Sequence, residues 1–359
     1  MPVTAHLSRS ALVGAAVVGL AVPLAAPASA TFPGSNGRIS FQQVTCDEPA
    51  ADEFVCRSDI VSSEPDGTAQ QNITNVGDEE FAVLSDWSAD SSRIAYDLDD
   101  ETSVQVWVAN ADGSGAMQVT TGPGFHGDPV WNPAGTRLAI DTDWNEYDTD
   151  RTQQGIWIIP VQAGVTKADA VRQLTSVPAG SDFDSEPAWS PDGAWVAFTR
   201  FKSCRSREHG RQAGQPNGCV QAVFKVRADG SGGLEQLTPW GMVASYPNWS
   251  PDGSMITFDG CDSGKAAGCR GDIWVMRADG SGKTRLTSSP PTGQLGGSNR
   301  FDLRNNPDFA PAGDAIVFTH WCADGGTELL TIPVAGGPES TVLGCDGTFR
   351  NKADWGSAA

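Results

Sequence analysis

The chain has 359 residues, a formal net charge of −20 at pH 7, 39% hydrophobic residues, 8 cysteines and 12 tryptophans. An acid excess of this size argues against nucleic acid and anionic membrane surfaces as partners, since both repel a polyanion. The length is enough for a large core in one all-β domain or two smaller ones.

Residues 1–30 read as a secretory signal. Arg9 gives a thin positive start, residues 11–24 are an apolar run, and Ala28-Ser29-Ala30 has the small-x-small form of a cleavage site. The run falls short of the roughly 18–20 residues of a membrane span. The expectation is a secreted chain, extracellular or periplasmic, with residues 31–359 as one domain and no transmembrane span after signal removal. Eight cysteines in an exported chain then read as disulfides.

From residue 37 onward the chain repeats itself. Gly37-Arg38-Ile39-Ser40-Phe41 opens as a short strand. Trp87-Ser88-Ala89-Asp90 precedes Ile94-Ala95-Tyr96, and Val106-Trp107-Val108, the turn Asp112-Gly113 and Gln118-Val119-Thr120 follow. The next copy runs Pro129-Val130-Trp131-Asn132-Pro133-Ala134-Gly135, then Leu138-Ala139-Ile140, Ile156-Trp157-Ile158 and Gln173-Leu174-Thr175. The clearest copies are Pro187-Ala188-Trp189-Ser190-Pro191-Asp192-Gly193 and Pro247-Asn248-Trp249-Ser250-Pro251-Asp252-Gly253. Another begins Pro307-Asp308-Phe309-Ala310-Pro311-Ala312-Gly313 before Ile316-Val317-Phe318. Pro presets φ and Gly accepts positive φ, so Ser-Pro-Asp-Gly is turn chemistry between two strands. A period of roughly 40–60 residues built from short strands and Gly turns marks propeller blades.

Second strands begin at Ile39, Ile94, Leu138, Val196, Ile256 and Ile316; first-strand aromatics fall at Trp87, Trp131, Trp189, Trp249, Phe309 and Trp355. Both sets number six. The first blade lacks a first strand, and Ala353-Asp354-Trp355-Gly356 at the C-terminus has no successor. The expectation is an all-β, six-bladed β-propeller of four-stranded antiparallel blades, its ring closed by the C-terminal strand completing blade one. The aromatics are expected to pack between blades.

The phrase Pro-x-Trp-Ser-Pro-Asp-Gly, with Ile273-Trp274-Val275-Met276, Ala278-Asp279-Gly280-Ser281-Gly282 and Arg285-Leu286-Thr287 behind it, resembles the repeat of TolB-type propellers. The resemblance covers essentially all of residues 31–359, without the N-terminal α/β domain that TolB carries. It implies the fold and leaves activity open.

Cys46/Cys56, Cys204/Cys219 and Cys261/Cys269 each flank one inter-strand loop at the same place in their blade, which suggests those pairs and leaves Cys322/Cys345. Tight turns fall on one face of the disc, so long loops and function belong to the other. Three features there are candidates. Asp141, Asp143 and Asn145 have the start of a calcium-loop spacing, with Asp182 and Asp184 nearby, so a divalent cation such as calcium is one candidate occupant and a solvated acidic surface the other. Arg200, Lys202, Arg205, Arg207, His209 and Arg211 make a basic loop that either captures an anionic partner or neutralises its neighbours. Asp128, Glu186 and Asn306 each precede a first-strand Pro and should share equivalent places near the axis, as acid and base or as channel lining. No nucleophile elbow or phosphate-cradling loop occurs.

The expected function is a monomeric binding scaffold for an envelope or extracellular protein or polymer. The alternatives are a carbohydrate- or peptide-acting hydrolase or lyase at the channel mouth, and a structural cell-surface protein.

Overall fold

The computed structural model describes residues 33–50, 53–100, 102–144, 154–177, 183–202, 220–261, 271–288, 303–322 and 325–358. The chain is all-β apart from two 3₁₀ turns among these residues. Four sheets of four strands pair as consecutive meanders, and an eight-stranded sheet joins two further units through a single parallel bridge, Ser58 to Phe81. The pairings therefore give six four-stranded antiparallel units among the described residues.

Blade one is built from both ends of the sequence. Its inner strand is Phe349–Ser357, followed outward by Asn36–Ala50, Glu53–Ser63 and Gln71–Asn72. Ile39 pairs with Trp355 and Ser40 with Asp354, so the last strand supplies the one missing from the first repeat. Close approach there needs glycine: a Cβ on Gly356 would lie 3.0 Å from the Trp87 ring, and one on Gly37 would lie 2.3 Å from the Ser357 carbonyl oxygen. The inner strands of the other blades are Phe81–Trp87, His126–Trp131, Phe183–Trp189, Ser245–Trp249 and Arg304–Phe309. Each touches the next, and Phe349–Ser357 touches both the last and the first.

The hydrophobic residues sit between blades rather than in one central core. Ala95, Val106 and Val108 of blade two pack with Trp131, Leu138 and Ile140 of blade three. Ile39, Phe41 and Trp355 of blade one pack with Val317 and Leu329 of blade six. The period-2 alternation of each strand gives it one face toward each neighbouring blade, which is why its Val, Ile and Phe are buried on both sides.

The inner strands begin earlier than the repeat phrase suggests: blade five starts at Ser245, two residues before Pro247. Two expected disulfides are formed, Cys46–Cys56 between strand-paired residues and Cys322–Cys345. Cys261 is disulfide-bonded; Cys269, Cys204 and Cys219 lie outside the described residues. No helix among the described residues is long and apolar enough to cross a membrane.

Candidate functional site

Every inner strand carries a break in register near its middle, and the closing strand has a second one opposite Asn36/Ile39. The mid-strand breaks fall between Val83 and Asp86, Gly127 and Val130, Ser185 and Ala188, Ser245 and Asn248, Asn305 and Asp308, and opposite Ser40/Gln42 in the closing strand. At each mid-strand break one non-glycine residue is left-handed: Leu84 (φ 55°), Asp128 (49°), Glu186 (57°), Tyr246 (51°), Asn306 (53°) and Lys352 (53°). A bulge puts an extra residue on one strand and re-aims its side chain. Left-handed non-glycine backbone costs about 1–3 kcal/mol where it recurs, and persists because the ladders on both sides hold it. All six residues line one solvent-open channel.

Sequence reasoning named three of these six, Asp128, Glu186 and Asn306, and missed Tyr246, Leu84 and Lys352. Tyr246 precedes a Pro as those three do. Counting three residues back from each first-strand aromatic finds all six.

The channel lining is bonded across blades. The Ser185 hydroxyl lies 2.6 Å from Asp128 Oδ2 and 2.6 Å from Asp141 Oδ2. The Tyr246 backbone N–H donates to Glu186 Oε2 at 2.9 Å. Lys352 Nζ stands 3.4 Å from Asp128 Oδ1 and 4.1 Å from the centre of the Tyr246 ring. Burial raises the Glu186 carboxyl; Lys352 opposes that, and Asp128 adds to it. Burial likewise pushes Asp259 well up, with Glu186 adding to it.

A second ring lies two residues further along each inner strand. Three of its members are carboxyls on consecutive blades, and each accepts the backbone N–H of the next blade's aromatic at 2.7 Å: Asp308 from Trp355, Asp354 from Trp87, and Asp86 from Trp131. The matching positions elsewhere are Val130, Ala188 and Asn248. Burial raises all three carboxyls, Asp354 to about 6, and the charge of Asp354 pushes Asp86 and Asp308 further.

The acidic and basic candidates fall only partly within the described residues. Asp141 is buried against Ser185, and Asp143 Oδ1 accepts the Phe125 N–H at 2.9 Å. Asp184 is a correction: both its oxygens take the Arg200 guanidinium at 2.6 Å, with both side chains buried, so it is an internal ion pair rather than a free ligand. Arg200 is thereby removed from the basic loop, because a guanidinium that leaves water needs a carboxylate beside it. Asn145, Asp182, Arg205, Arg207, His209 and Arg211 lie outside the described residues. Among the described residues the one group of three ligand-type atoms within 4.8 Å is Cys322, Glu328 and Cys345, whose sulfurs are already joined to each other.

Known proteins fit this geometry. A family described as the TolB beta propeller domain matches residues 38–359. An uncharacterized peptidase, YuxL of Bacillus subtilis (strain 168), is 28% identical over 214 residues, covering 52% of this chain and 29% of that protein. A Tol-Pal system protein TolB of Anaeromyxobacter dehalogenans (strain 2CP-C) is 32% identical over 108 residues, 29% of this chain and 19% of that one. The crystal structure of TolB from Acinetobacter baumannii superposes with a TM-score of 0.64 at 16% identity, covering 90% of this chain and 67% of that chain, a likeness of fold. The chain spans less than a third of the length of the two curated relatives. With the family matched over nearly the whole repeat region and its blades found in the strand pairings, the chain belongs to the TolB β-propeller family.

Proposed function

We propose that the protein is an exported binding scaffold that takes a protein or polymer of the cell envelope or exterior at the loop-side mouth of its channel. The observation that carries this reading is the ring of six unlike side chains, Leu84, Asp128, Glu186, Tyr246, Asn306 and Lys352, presented by six equivalent bulges. A ring with no internal symmetry in its chemistry can read one ligand in one orientation, and rigid scaffolds lose little entropy in doing so. A relative named as part of the Tol-Pal system supports an envelope setting.

The test is capture. Residues 31–359 are immobilised, a solubilised envelope extract is passed over with calcium and then with chelator, and retained species are identified by mass spectrometry. Retention of one species that is lost in Tyr246→Ala and kept in Asp229→Asn, on the tight-turn face, supports the reading. Retention indifferent to Tyr246 removes it.

One observation favours a second reading, a carboxylate-based hydrolase or lyase: burial raises the Glu186 carboxyl from its ordinary value, and Asp128 beside it adds to that. Turnover of an oligosaccharide or peptide that vanishes in Glu186→Gln would establish that reading instead.

A further inference from the structure

Lys352 reaches across the channel. It stands on the strand that closes blade one, while the groups around its ammonium come from the far side of the ring. Asp128 of blade three lies 3.4 Å away, and the ring of Tyr246, on blade five, lies 4.1 Å away. Its charge is felt by the carboxyls of Glu186 on blade four and Asp259 on blade five. Among the described residues lining the channel, Lys352 is the single basic side chain.

A carboxylate beside the face of an aromatic ring is the chemistry that selects an alkylammonium group. Resting on the reading of the channel mouth as the binding site, the geometry points to a cage for a primary ammonium, a lysine side chain or free amino terminus of a protein partner, which the chain keeps filled with its own Lys352. Displacement is within reach of such a partner. The 3.4 Å contact to Asp128 is longer than the roughly 2.7–2.9 Å of a close charge-assisted bond. The Lys352 side chain keeps 17% of its surface in solvent against 6% for Asp128, so the pair is largely buried and meets solvent mainly on the Lys352 side. A cationic segment also suits a chain of net charge −20, since complementary charge sets both approach and register.

The experiment is a calorimetric titration of n-butylammonium into the wild-type protein and into Lys352→Met, which keeps the apolar stem and removes the charge. Saturable binding to Lys352→Met is expected, about ten-fold or more tighter than to wild type. Addition of Asp128→Asn to Lys352→Met should abolish it, and n-butanol should bind neither protein. Equal affinity in the two proteins, or equal binding of n-butanol, overturns the cage. Should Lys352→Met not fold, acetylation of the unaltered protein decides. Lys352 is expected to react about ten-fold more slowly than exposed Lys167, and to approach its rate in Asp128→Asn. Equal rates in the unaltered protein overturn the cage as well. No envelope partner enters either measurement, so a protein that captures nothing can still show the cage, and one that captures a partner can lack it.

Discussion

Asp354 Oδ2 accepts the backbone N–H of Trp87 at 2.7 Å, and this bond ties the last strand of the chain to the first strand of the second blade. The next residue, Trp355, gives its own N–H to Asp308 at 2.7 Å, so the closing strand is held from both neighbouring blades. Asp354→Ala would leave the Trp87 N–H buried without an acceptor, at a cost of about 1–3 kcal/mol. Asp354→Asn keeps an acceptor oxygen and removes a charge from beside two other buried carboxyls, so it should be neutral or stabilising near neutral pH. Removal of residues 352–359 strips blade one of most of its inner strand and both bridges, and should abolish the native fold. Urea midpoints of the three proteins check the order; a truncated chain that melts like wild type refutes closure.

The same carboxyls set a pH dependence. Asp354 is raised on folding from 3.8 to about 6, chiefly by burial. In the fold it holds its proton at a pH where the unfolded chain has lost it. Its contribution is therefore complete below 3.8 and is lost as pH rises through about 6. His126 works in the opposite sense: burial lowers it from 6.5 to about 4, so its contribution is present above 6.5 and lost as pH falls through about 4. Because the two windows overlap, the difference between proteins is the informative quantity. Relative to Asp354→Asn, the wild type should lose stability on going from about pH 4 to about pH 7. Melting temperatures across that range test this, and a flat or opposite difference rejects it.

The architecture was legible because the repeat phrase couples an aromatic, a Pro-Asp-Gly turn and an apolar triplet, each of which means one thing to the backbone. Trp189, Ser190-Pro191-Asp192-Gly193 and Val196 occupy an inner strand, a tight turn and a second strand as their chemistry requires. The channel was legible only in part. Asp128 and Glu186 are marked by the Pro that follows them, whereas Leu84 and Lys352 have no such neighbour and take their places from blade equivalence alone. The pairing of Asp184 with Arg200 is invisible to motif reading, since it depends on which residues face each other across two strands, Asp184 opposite Arg200 in register. Acidic residues with calcium-like spacing can equally belong to strand pairs and turns, as Asp141 and Asp143 do here.

Two disulfides brace the blades on either side of the closure. Cys46–Cys56 spans 10 residues within blade one; Cys322–Cys345 spans 23 and ties blade six to the segment leading into the closing strand. Loop-closure entropy gives each about 3 kcal/mol, slightly more for the longer loop. Cys46→Ser/Cys56→Ser and Cys322→Ser/Cys345→Ser should each lower stability by about that amount, the second somewhat more, in urea titrations. Loss below about 1 kcal/mol in both would mean the unfolded chain is already compact around these loops.

Arg200 and Asp184 offer the largest single-residue effect outside the closure. The guanidinium lies within 2.6 Å of both carboxylate oxygens, with the two side chains 6% and 0% exposed, and the Phe198 and Phe224 rings lie 5.7 and 5.5 Å away. Removing one partner leaves the other charged and buried, so Asp184→Ala should cost about 3–5 kcal/mol. Arg200→Met in the same protein removes the orphan charge and fills its volume, so the double variant should recover most of that loss. A double-mutant cycle in urea measures the coupling. Additive losses would mean that water reaches the pair in solution, and that the ion pair contributes no more than an exposed one.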